Sequence, residues 1–427
     1  MRTEAASSLR FSSGLSSNPQ TRAAIEHACE QARAGLDGET PDFVQVFFSP
    51  HHTAHAADIR DAIQTRLSPR CLVGLSAEGV IAGATELERT PGLSLLAARM
   101  PGVALTPFTG EELLPSDDSP EGLAKLALAT GAMARQRATL LYADPFSTPM
   151  IKLLPALNKA LHTGRPANER PVIIGAMASG ARSPGGNAFI LNDRILTNGM
   201  IGVSIAGNVR VDAVVSQGCR PFGPTAVITR AKGNLIFELG GRPAPEVVRE
   251  AIGELAESAK GLLSEGLQVG LVINEYKERF GRDDFLIRNV VGLDATSGGI
   301  AVADIVRVGQ TIRFHHRDKH TADQDLSMLL DAQQLKDPPK GCLLITCNAR
   351  GQRMFGSPHH DASAVAKAFS PPTPAEDLGT PMANPDVDSL PIAGCFAAGE
   401  IGPVGHESYL HGQTACVVLF RELIESA

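Results

Sequence analysis

Two arginines lie in a glycine-rich segment, CNARGQRMFG at 347–356, that follows an apolar run near the end of the sequence. The preceding residues, 343–347, have the composition of a buried strand, and α/β sheets bind ligands in the loops that follow strands. Arg350 and Arg353 can each offer a planar guanidinium that donates two hydrogen bonds to a carboxylate or phosphate. Gly351 lets the backbone approach a ligand closely. The spacing therefore predicts a binding site for a small polar ligand.

Two further segments embed polar residues in apolar surroundings. Residues 399–405 follow the apolar run 392–397 and lead into the polar stretch 409–414, and residues 287–292 place a charge and an amide among valines. Polar groups in such positions need partners, either from within the protein or from a ligand. The alternative is that the glycines close tight turns and the arginines brace loops through backbone carbonyls.

Catalysis by a thiol is a competing interpretation of the same residues. Cys347 lies at the end of a predicted strand, and His411, Glu400 or Asp318 would have to activate it, although spacing alone does not bring them together. The simpler alternative is that Cys347 ends a buried strand. No P-loop, GxSxG, HExxH or strand-following GxGxxG occurs. We therefore expect a binding protein, not an enzyme, with no catalytic residues.

The histidine pairs do not indicate a metal site. The chain contains His51-His52, His315-His316 and His359-His360. Adjacent residues on a strand point to opposite faces, so such pairs do not chelate one ion together. We expect no metal and no cofactor.

The elements that would position these residues recur as a unit of strand, helix and strand. The predicted units are strand 44–48, helix 55–67 and strand 71–75; strand 139–142, helix 148–161 and strand 172–175; and strand 343–347, helix 361–369 capped by Asp361, and strand 392–397. Further strands follow at 93–98, at 200–206 with 210–215 as a hairpin, and at 413–423, where strand and helix both fit. Another hairpin is predicted at 300–306 and 311–315. The pattern predicts an α/β (mixed α+β) fold: two modules with mixed β-sheets flanked by helices, built from repeated β-α-β-β units.

Glycine and proline mark the boundary between the modules. The sequence GGRPAP at 240–245 separates a β-rich stretch, 225–239, from an amphipathic helix predicted over 245–263. We therefore divide the chain into domains at 12–242 and 243–424. The proline-rich, polar composition of residues 370–389 predicts a surface insertion.

Composition limits the partners. The net charge of −7 and the low aromatic content, with no Trp and three Tyr, disfavour nucleic acid. No apolar run approaches the roughly 18 residues of a membrane span, and no secretory signal is present. Seven cysteines without a CxxC motif indicate neither disulfides nor a zinc ribbon. We expect a cytoplasmic protein without nucleic-acid or membrane partners.

Several blocks of the sequence resemble the FIST family. Residues 76–81 (SAEGVI), 86–88 (ELE) and 216–224 (SQGCRPFGP) are similar to the FIST N-terminal domain. Residues 285–294, 309–318, 347–356 and 394–414 are similar to the FIST C-terminal domain. The likeness covers roughly 12–420.

The resemblance implies an intracellular signal-transduction module that binds small ligands such as amino acids. Some FIST regions follow an F-box, and others are attached to output domains. Neither arrangement fits before residue 12 or after residue 420, so we expect a stand-alone sensor with a separate signalling output protein. An adaptor role, based on the 370–389 insertion, is the alternative. The candidate ligand-binding residues are Ser76, Glu78, Arg288, Asn289, Cys347, Asn348, Arg350, Gly351, Arg353, Gly399, Glu400, Gly402, His411 and Gly412.

Overall fold

A computed structural model describes most of the chain. The described residues are 8–110, 119–255, 266–281, 284–294, 298–370 and 389–423. The content is 27% helix and 41% strand, which confirms the predicted mixed α/β class. None of the helices in these ranges is both long enough and apolar enough to cross a bilayer. The predicted insertion at 370–389 lies almost entirely outside the described residues, as does the second half of the helix predicted over 245–263.

The helices are mostly short. They are α1 Thr21–Gly35, α2 Ala56–Leu67, α3 Pro120–Ala129, α4 Met150–His162, α5 Ala244–Gly253, α6 Lys319–Gln334, α7 Gly351–Phe355 and α8 His360–Ala368, with 3-10 helices at Pro50–His55 and Ala167–Glu169. In α2 the buried residues Ala56, Ile59, Ile63 and Leu67 recur every three or four positions. This spacing gives the helix one apolar face for the sheet beneath it.

The strands carry most of the fold. They are β1 Arg10–Ser16, β2 Phe43–Phe48, β3 Cys71–Ser76, β4 Gly79–Ala82, β5 Thr85–Glu88, β6 Leu93–Arg99, β7 Val103–Thr109, β8 Gln136–Ala143, β9 Val172–Met177, β10 Phe189–Leu191, β11 Arg194–Leu196, β12 Met200–Gly207, β13 Arg210–Ser216, β14 Cys219–Lys232, β15 Leu235–Leu239, β16 Arg242–Pro243, β17 Leu267–Val272, β18 Phe285–Asp294, β19 Gly299–Val302, β20 Thr311–Arg317, β21 Gly341–Cys347, β22 Ile392–Ala397, β23 Gly399–Val404, β24 Glu407–His411 and β25 Ala415–Arg421.

The chain forms two compact units. Unit 1 combines the residues up to Val215 with those from Leu329 onward, and unit 2 is Ser216–Met328. Compactness thus divides the chain differently from the sequence domains 12–242 and 243–424, which remain a prediction.

Unit 1 contains three six-stranded sheets built on one plan. Their strand orders are β1-β6-β2-β3-β10-β11 in sheet I, β7-β12-β8-β9-β23-β24 in sheet II and β13-β25-β21-β22-β4-β5 in sheet III. The central pairs β2–β3, β8–β9 and β21–β22 are parallel, and helices connect their strands. All six central strands are buried on both faces or nearly so. Continuous apolar runs are typical of strands in such positions, which explains why the sequence reveals them.

Each sheet is completed by a hairpin from another repeat. The three repeats are β1–β6, β7–β12, and β13 with β21–β25. Hairpin β4–β5 leaves the first repeat and pairs with β22 of sheet III. Hairpin β10–β11 leaves the second and pairs with β3 of sheet I, and β23–β24 leaves the third and pairs with β9 of sheet II. The exchange is cyclic, so none of the three sheets is made by one repeat alone.

The three sheets share one apolar core. Phe11 of sheet I stacks on Phe420 of sheet III with ring centroids 5.2 Å apart. Phe47 of sheet I meets Tyr142 of sheet II edge to face at 6.2 Å. Alternate residues of the central strands point into this core, while the opposite faces of sheets I and II pack on helices.

Unit 2 has a sheet of its own. The order is β14-β20-β17-β18-β19-β15-β16, and its paired strands are antiparallel. Its core includes a cluster of Cys219, Val272, Phe285 and Ile287.

The predicted units of strand, helix and strand are confirmed, whereas two predicted hairpins are wrong. Strands β12 and β13 are not paired, because β12 lies between β7 and β8 while β13 joins β25. Strand β19 likewise pairs with β15 and β18, and β20 with β14 and β17. Proximity in sequence favours both hairpins, but tertiary packing gives each strand a more distant partner. The ambiguous run 413–423 forms strand β25.

Candidate functional site

Corresponding residues lie at the carboxyl end of the first central strand of each sheet in unit 1. The backbone N–H of Ser49 donates to Gly92, that of Asp144 to Gly199, and that of Cys347 to Thr414, at 2.8, 2.8 and 2.9 Å. Ser49, Asp144 and Cys347 therefore occupy equivalent places at the carboxyl ends of parallel strands. This is the edge of a sheet at which α/β proteins bind ligands.

The three sheets meet at this end. The backbone N–H of Glu78 donates to the hydroxyl of Ser179 at 2.8 Å, and that hydroxyl donates to the carbonyl of Phe396. The N–H of Ala398 donates to Met177 at 3.0 Å. Since these bonds connect hairpin β4–β5, sheet II and sheet III, groups that are remote in sequence are brought together here.

Arg350 is wholly buried and paired with Asp361. Its Nε donates to Oδ2 of Asp361 at 2.7 Å and its Nη2 to Oδ1 at 2.8 Å, and both residues have 0% exposure. Thr346 and His360 also hydrogen-bond to the carboxylate, at 2.7 and 3.0 Å. The bidentate hydrogen bond predicted for Arg350 thus forms, but its acceptor is a carboxylate of the protein itself.

The pair holds both groups in their charged forms. Burial by itself would lower the pKa of Arg350 and raise that of Asp361. The opposite charge and the paired hydrogen bonds outweigh burial, so the pKa of Arg350 is raised and that of Asp361 lies well below its usual range. Asp361 was predicted to cap helix 361–369. This is wrong, because the cap residue is His359 and the Asp361 side chain turns toward Arg350 instead.

One guanidinium nitrogen of Arg350 has no hydrogen-bond partner among the described residues. Nη1 is buried and donates no hydrogen bond to any described residue. The guanidinium carbon lies 5.2 Å from the centroid of the Phe355 ring, which itself stacks on His360 at 3.4 Å. Hydrogen bonds and ring contacts therefore fix the guanidinium with one donor unused.

Glu400 is the second buried charge of the site. It lies on β23 with 0% exposure, and its Oε2 accepts hydrogen bonds from the hydroxyl and the backbone N–H of Thr414 at 2.7 and 3.1 Å. Its Oε1 is buried and accepts from no described residue. Burial raises the pKa of Glu400 to about 7, although Thr414, the thiol of Cys347 and the charge of Arg350 act to lower it. Cys347, Arg350 and Glu400 therefore belong to one electrostatically coupled cluster.

Hairpin β4–β5 of the first repeat covers this cluster with two glutamates. Oε1 of Glu86 accepts from the N–H of Ala362 at 2.9 Å, and Oε1 of Glu88 accepts from Gln352 at 2.9 Å. Burial and the nearby charge of Asp361 raise the pKa of Glu86 to about 7. Glu86, Glu88, Asp361 and Thr414 were not among the predicted site residues. The signal was the ELE block at 86–88, which the sequence displays without showing that it reaches residues 351–362.

The predicted glycines and their neighbours differ in role. Gly351 has φ +58°, and a Cβ there would lie 2.6 Å from Oε1 of Glu88. A Cβ on Gly402 would lie 2.5 Å from Val215, whereas Gly412 has open space around it. Gly399 packs against Leu410 and Met177. These contacts give Gly351, Gly399 and Gly402 packing reasons to lack a side chain.

The remaining predicted residues of this end are polar groups with varied exposure. His411 is buried opposite Glu400 in the β23–β24 ladder, and its Nε2 lies 3.0 Å from the carbonyl of Gly402. The Asn348 N–H donates to Ala397 at 2.9 Å, while Arg353 is exposed.

Ser76 and Glu78 lie at the crossing of sheets I and III. The buried hydroxyl of Ser76 donates to Asn187 at 3.3 Å, and Asn187 donates to Asp144 at 2.8 Å. The Glu78 side chain is half-buried. Hydrogen bonds thus connect Ser76 through Asn187 to Asp144, which holds in the second repeat the place that Cys347 holds in the third.

Arg288 and Asn289 lie in unit 2. Both are on β18, where Arg288 forms an ion pair with Asp304 and Asn289 is opposite Gln268 in the ladder. The cluster in unit 1 is therefore assembled without them, and their assignment to a ligand site stays a prediction.

Taken together, unit 1 is a pseudo-threefold α/β scaffold with a buried, charged and incompletely paired cluster where its sheets meet. Buried groups with shifted pKa values of this kind are concentrated at functional sites. The family profile for the FIST N domain matches residues 42–242, and that for the FIST C domain matches residues 244–403. The chain belongs to the FIST family, whose domains are known as small-ligand-binding sensory domains in signalling.

Similar proteins occur in mycobacteria. The chain is 38% identical over 417 residues to the uncharacterized protein Rv0628c of Mycobacterium tuberculosis, covering 96% of this chain and 100% of that protein. It is 36% identical over 422 residues to the uncharacterized protein Mb0898c of Mycobacterium bovis, with coverage of 98% and 100%. A cyanuric acid hydrolase from A. caulinodans matches in structure with a TM-score of 0.32 and 8% identity, over 98% of this chain and 100% of that one. A likeness this weak carries no conclusion.

Proposed function

We propose that the protein is a sensor for a small metabolite that carries both a carboxylate and an ammonium group, with a free amino acid as the first candidate. The observation that supports this is the pair of unused polar atoms in the cluster, Nη1 of Arg350 and Oε1 of Glu400. One is a donor with positive charge and the other an acceptor, and each is buried without a partner among the described residues. Polar atoms in such a state are costly.

An amino acid matches both atoms. Its carboxylate would accept from Nη1 of Arg350, and its ammonium would donate to Oε1 of Glu400, which would then be held in the ionised form. Hydrogen bonds between charged groups contribute about 1.5–3 kcal/mol each. Internal pairing of Arg350 with Asp361 leaves that arginine oriented for the ligand, because its other two donor atoms are fixed.

Access to these atoms requires local movement, because Arg350 and Glu400 have 0% exposure. Helix α7 is five residues long, begins at Gly351 and is followed by Gly356, and these two glycines have φ +58° and +74°. Short segments with few buried contacts open at low cost. We propose that displacement of α7 admits the ligand and that the change is passed to a separate signalling output protein in the cytoplasm.

We further propose that the ligand is bound and not transformed. Cys347 is 5% exposed, and reactive thiols sit in partly exposed, electropositive surroundings. A thiol-dependent enzyme is the second candidate, because the thiol of Cys347 acts on the pKa of Glu400, a carboxylate able to accept a proton near neutral pH. Turnover lost in Cys347→Ser would favour the enzyme, whereas ligand affinity retained in that variant would favour the sensor.

Calorimetric titration tests the proposal. We expect at least one of the free amino acids to bind the full chain, and Glu400→Gln to weaken its binding about tenfold to a hundredfold, since a charged hydrogen bond is lost. Glu169→Gln, at an exposed site in unit 1, is the control and should leave the affinity unchanged. A ligand at a hundred times its Kd should also stabilise the fold by about 2.7 kcal/mol. Absence of binding by every amino acid, or equal affinities in the two variants, would refute the proposal.

A further inference from the structure

A large cleft lies at the opposite end of the strands that carry the candidate site. It has a volume of about 1050 Å³ and is formed where β1 and β21 begin and where α6 and α8 end. Strand β21 has seven residues, so its two ends are about 20 Å apart. The cleft is therefore separate from the Arg350–Glu400 cluster, and its role is independent of the proposed function.

The charge of the cleft is opposite to that of the chain. The protein has a net charge of −7, yet the described residues that line the cleft include Arg10, Lys336 and Lys340 and no carboxylate. Arg10 is offset by ion pairs to Asp37 and Glu39. The two lysines supply the positive field that remains.

Neither lysine is fully neutralised within the described residues. Lys336 lies 3.1 Å from Asp212, but the same carboxylate also pairs with Arg210 at 3.1 Å and Arg421 at 3.0 Å. Three cations thus share Asp212, with the exposed Asp337 as a second, weaker counter-charge. No carboxylate in the described part of the chain pairs with Lys340.

Arg421 marks the surplus of positive charge behind the cleft. Its side chain has 0% exposure, and it reaches Gln333 of the cleft wall, donating from Nη2 to the backbone carbonyl at 3.2 Å. Its Nη1 is buried and has no hydrogen-bond partner among the described residues. A buried guanidinium with an unused donor strengthens the local positive potential, since the interior screens it weakly.

The opposite wall of the cleft is apolar. Leu9, Phe11 and Leu390 line it and are almost fully buried, and Phe369 lies beside them half-buried. A cavity with an apolar wall and a few convergent charged groups is the usual form of a small-molecule site.

We infer that this cleft binds an organic anion, with its carboxylate, sulfonate or phosphate at Lys336 and Lys340 and its apolar body against Phe11 and Leu390. The anion supplies the negative charge that Asp212 alone does not, and its body covers the apolar wall. The ligand class therefore differs from the zwitterion proposed for the other end of the strands.

A matched pair of fluorescent probes tests the inference on the full chain. 8-Anilino-1-naphthalenesulfonate carries an anionic group, and N-phenyl-1-naphthylamine has the same rings without it. We expect the sulfonate to bind the wild type, and the double variant Lys336→Gln/Lys340→Gln to weaken its binding about tenfold, the loss expected for one charged hydrogen bond. Affinity for the uncharged probe should be unchanged. Octanoate should displace the sulfonate, whereas inorganic phosphate at equal concentration should not.

Controls separate the site from other causes. Lys152→Gln, at an exposed position of α4, should bind like the wild type. Lys340→Gln alone should weaken sulfonate binding measurably. Because Asp212 pairs with Lys336 and not with Lys340, such a loss would not arise from a change at Asp212. The inference is overturned if the sulfonate does not bind, if the double variant binds it as tightly as Lys152→Gln does, or if phosphate displaces it as well as octanoate does.

Discussion

At the scale of single residues, the hydrogen bonds between Arg350 and Asp361 are strong, but burying the two charges carries a large desolvation penalty. The attraction between the two charges must offset this penalty. Buried ion pairs therefore often add little net stability compared with apolar residues of similar volume. Removing one partner is different, because the other is then left charged in the interior. The pair is therefore better understood as a device that orients the guanidinium than as a source of stability.

Replacement of Arg350 by Met should lower the free energy of unfolding by about 3–5 kcal/mol, since Asp361 loses its counter-charge. Urea denaturation measures this change. The matched control is Arg70→Met: Arg70 is exposed, and its buried partner Asp42 keeps Arg99 as a second counter-charge at 2.8 Å, so the loss should be less than about 1 kcal/mol. The double variant Arg350→Met/Asp361→Leu should recover at least half of the loss. Equal costs for Arg350→Met and Arg70→Met would contradict the assigned role.

The raised pKa of Glu86 makes stability depend on pH. Its pKa is about 7 in the folded protein and 4.5 for an ordinary glutamate, so the folded state retains a proton that the unfolded chain releases. The free energy of unfolding therefore falls as pH rises from about 4.5 to 7 and levels off above that. Glu400 contributes in the same direction.

Glu86→Gln should remove its share of this dependence. At pH 8 the variant should be more stable than the wild type by about 1–3 kcal/mol, and at pH 4.5 the two should be nearly equal. Urea midpoints measured at both pH values test this, with Glu169→Gln as the exposed control. A constant difference between variant and wild type at both pH values would show that Glu86 is not the titrating group.

At the scale of elements, the contact between α7 and hairpin β4–β5 determines how tightly the cluster is closed. The contact is made by Glu88, which accepts from the N–H of Gln352 at the start of α7. Gly351 allows it, because a side chain there would occupy the place of the carboxylate. The structure therefore favours glycine at this position because of Glu88, whereas the sequence suggested the approach of a ligand as the reason.

Gly351→Ala should cost more than an alanine at a glycine of similar conformation. Gly83 has φ +53° and open space around it, against φ +58° for Gly351, so Gly83→Ala should cost only the left-handed backbone penalty of about 1–2 kcal/mol. Gly351→Ala must in addition displace Glu88. In a Glu88→Ala background the two alanine substitutions should cost the same, as measured by urea denaturation. Equal costs in the wild-type background would exclude the contact.

Local patterns predicted the central strands of the sheets well and their outer partners poorly. The strand over 172–175 corresponds to β9, because burial on both faces demands a continuous apolar run. The helix over 148–161 corresponds to α4 within a few residues, because its apolar residues recur at helical spacing. The hairpin predicted for β12 and β13 does not form. Proximity in sequence favours pairing, but no local signal states which sheet a strand will join.

At the scale of the whole molecule, the exchanged hairpins tie the three repeats into one folding unit, whereas unit 2 is closed in itself. Each repeat gives a hairpin to one sheet and receives one from another. All seven strands of the unit 2 sheet, in contrast, lie between residues 219 and 317. Separate sheets with their own cores are expected to fold independently.

The fragment 216–328 should therefore fold alone, whereas the fragment 8–100, which is the first repeat, should not. The repeat would lack β10–β11 at one side of sheet I and would expose β4–β5 without β22. Chemical-shift dispersion in a proton–nitrogen NMR spectrum and cooperative urea unfolding distinguish the outcomes. A well-dispersed spectrum from 8–100 would show that the exchanged hairpins are not essential.

The sequence by itself determined the class of the fold, the central strands and helices, and the two segments, 347–356 and 399–405, from which Arg350 and Glu400 come. These features depend on local composition and periodicity, which burial imposes on each segment separately. Only the tertiary structure decided that Asp361 pairs with Arg350. It also decided that Glu86 covers the cluster by accepting a hydrogen bond from Ala362, 276 residues away in the sequence. Such contacts depend on which hairpin joins which sheet, and that choice is made by the packing of all three repeats together.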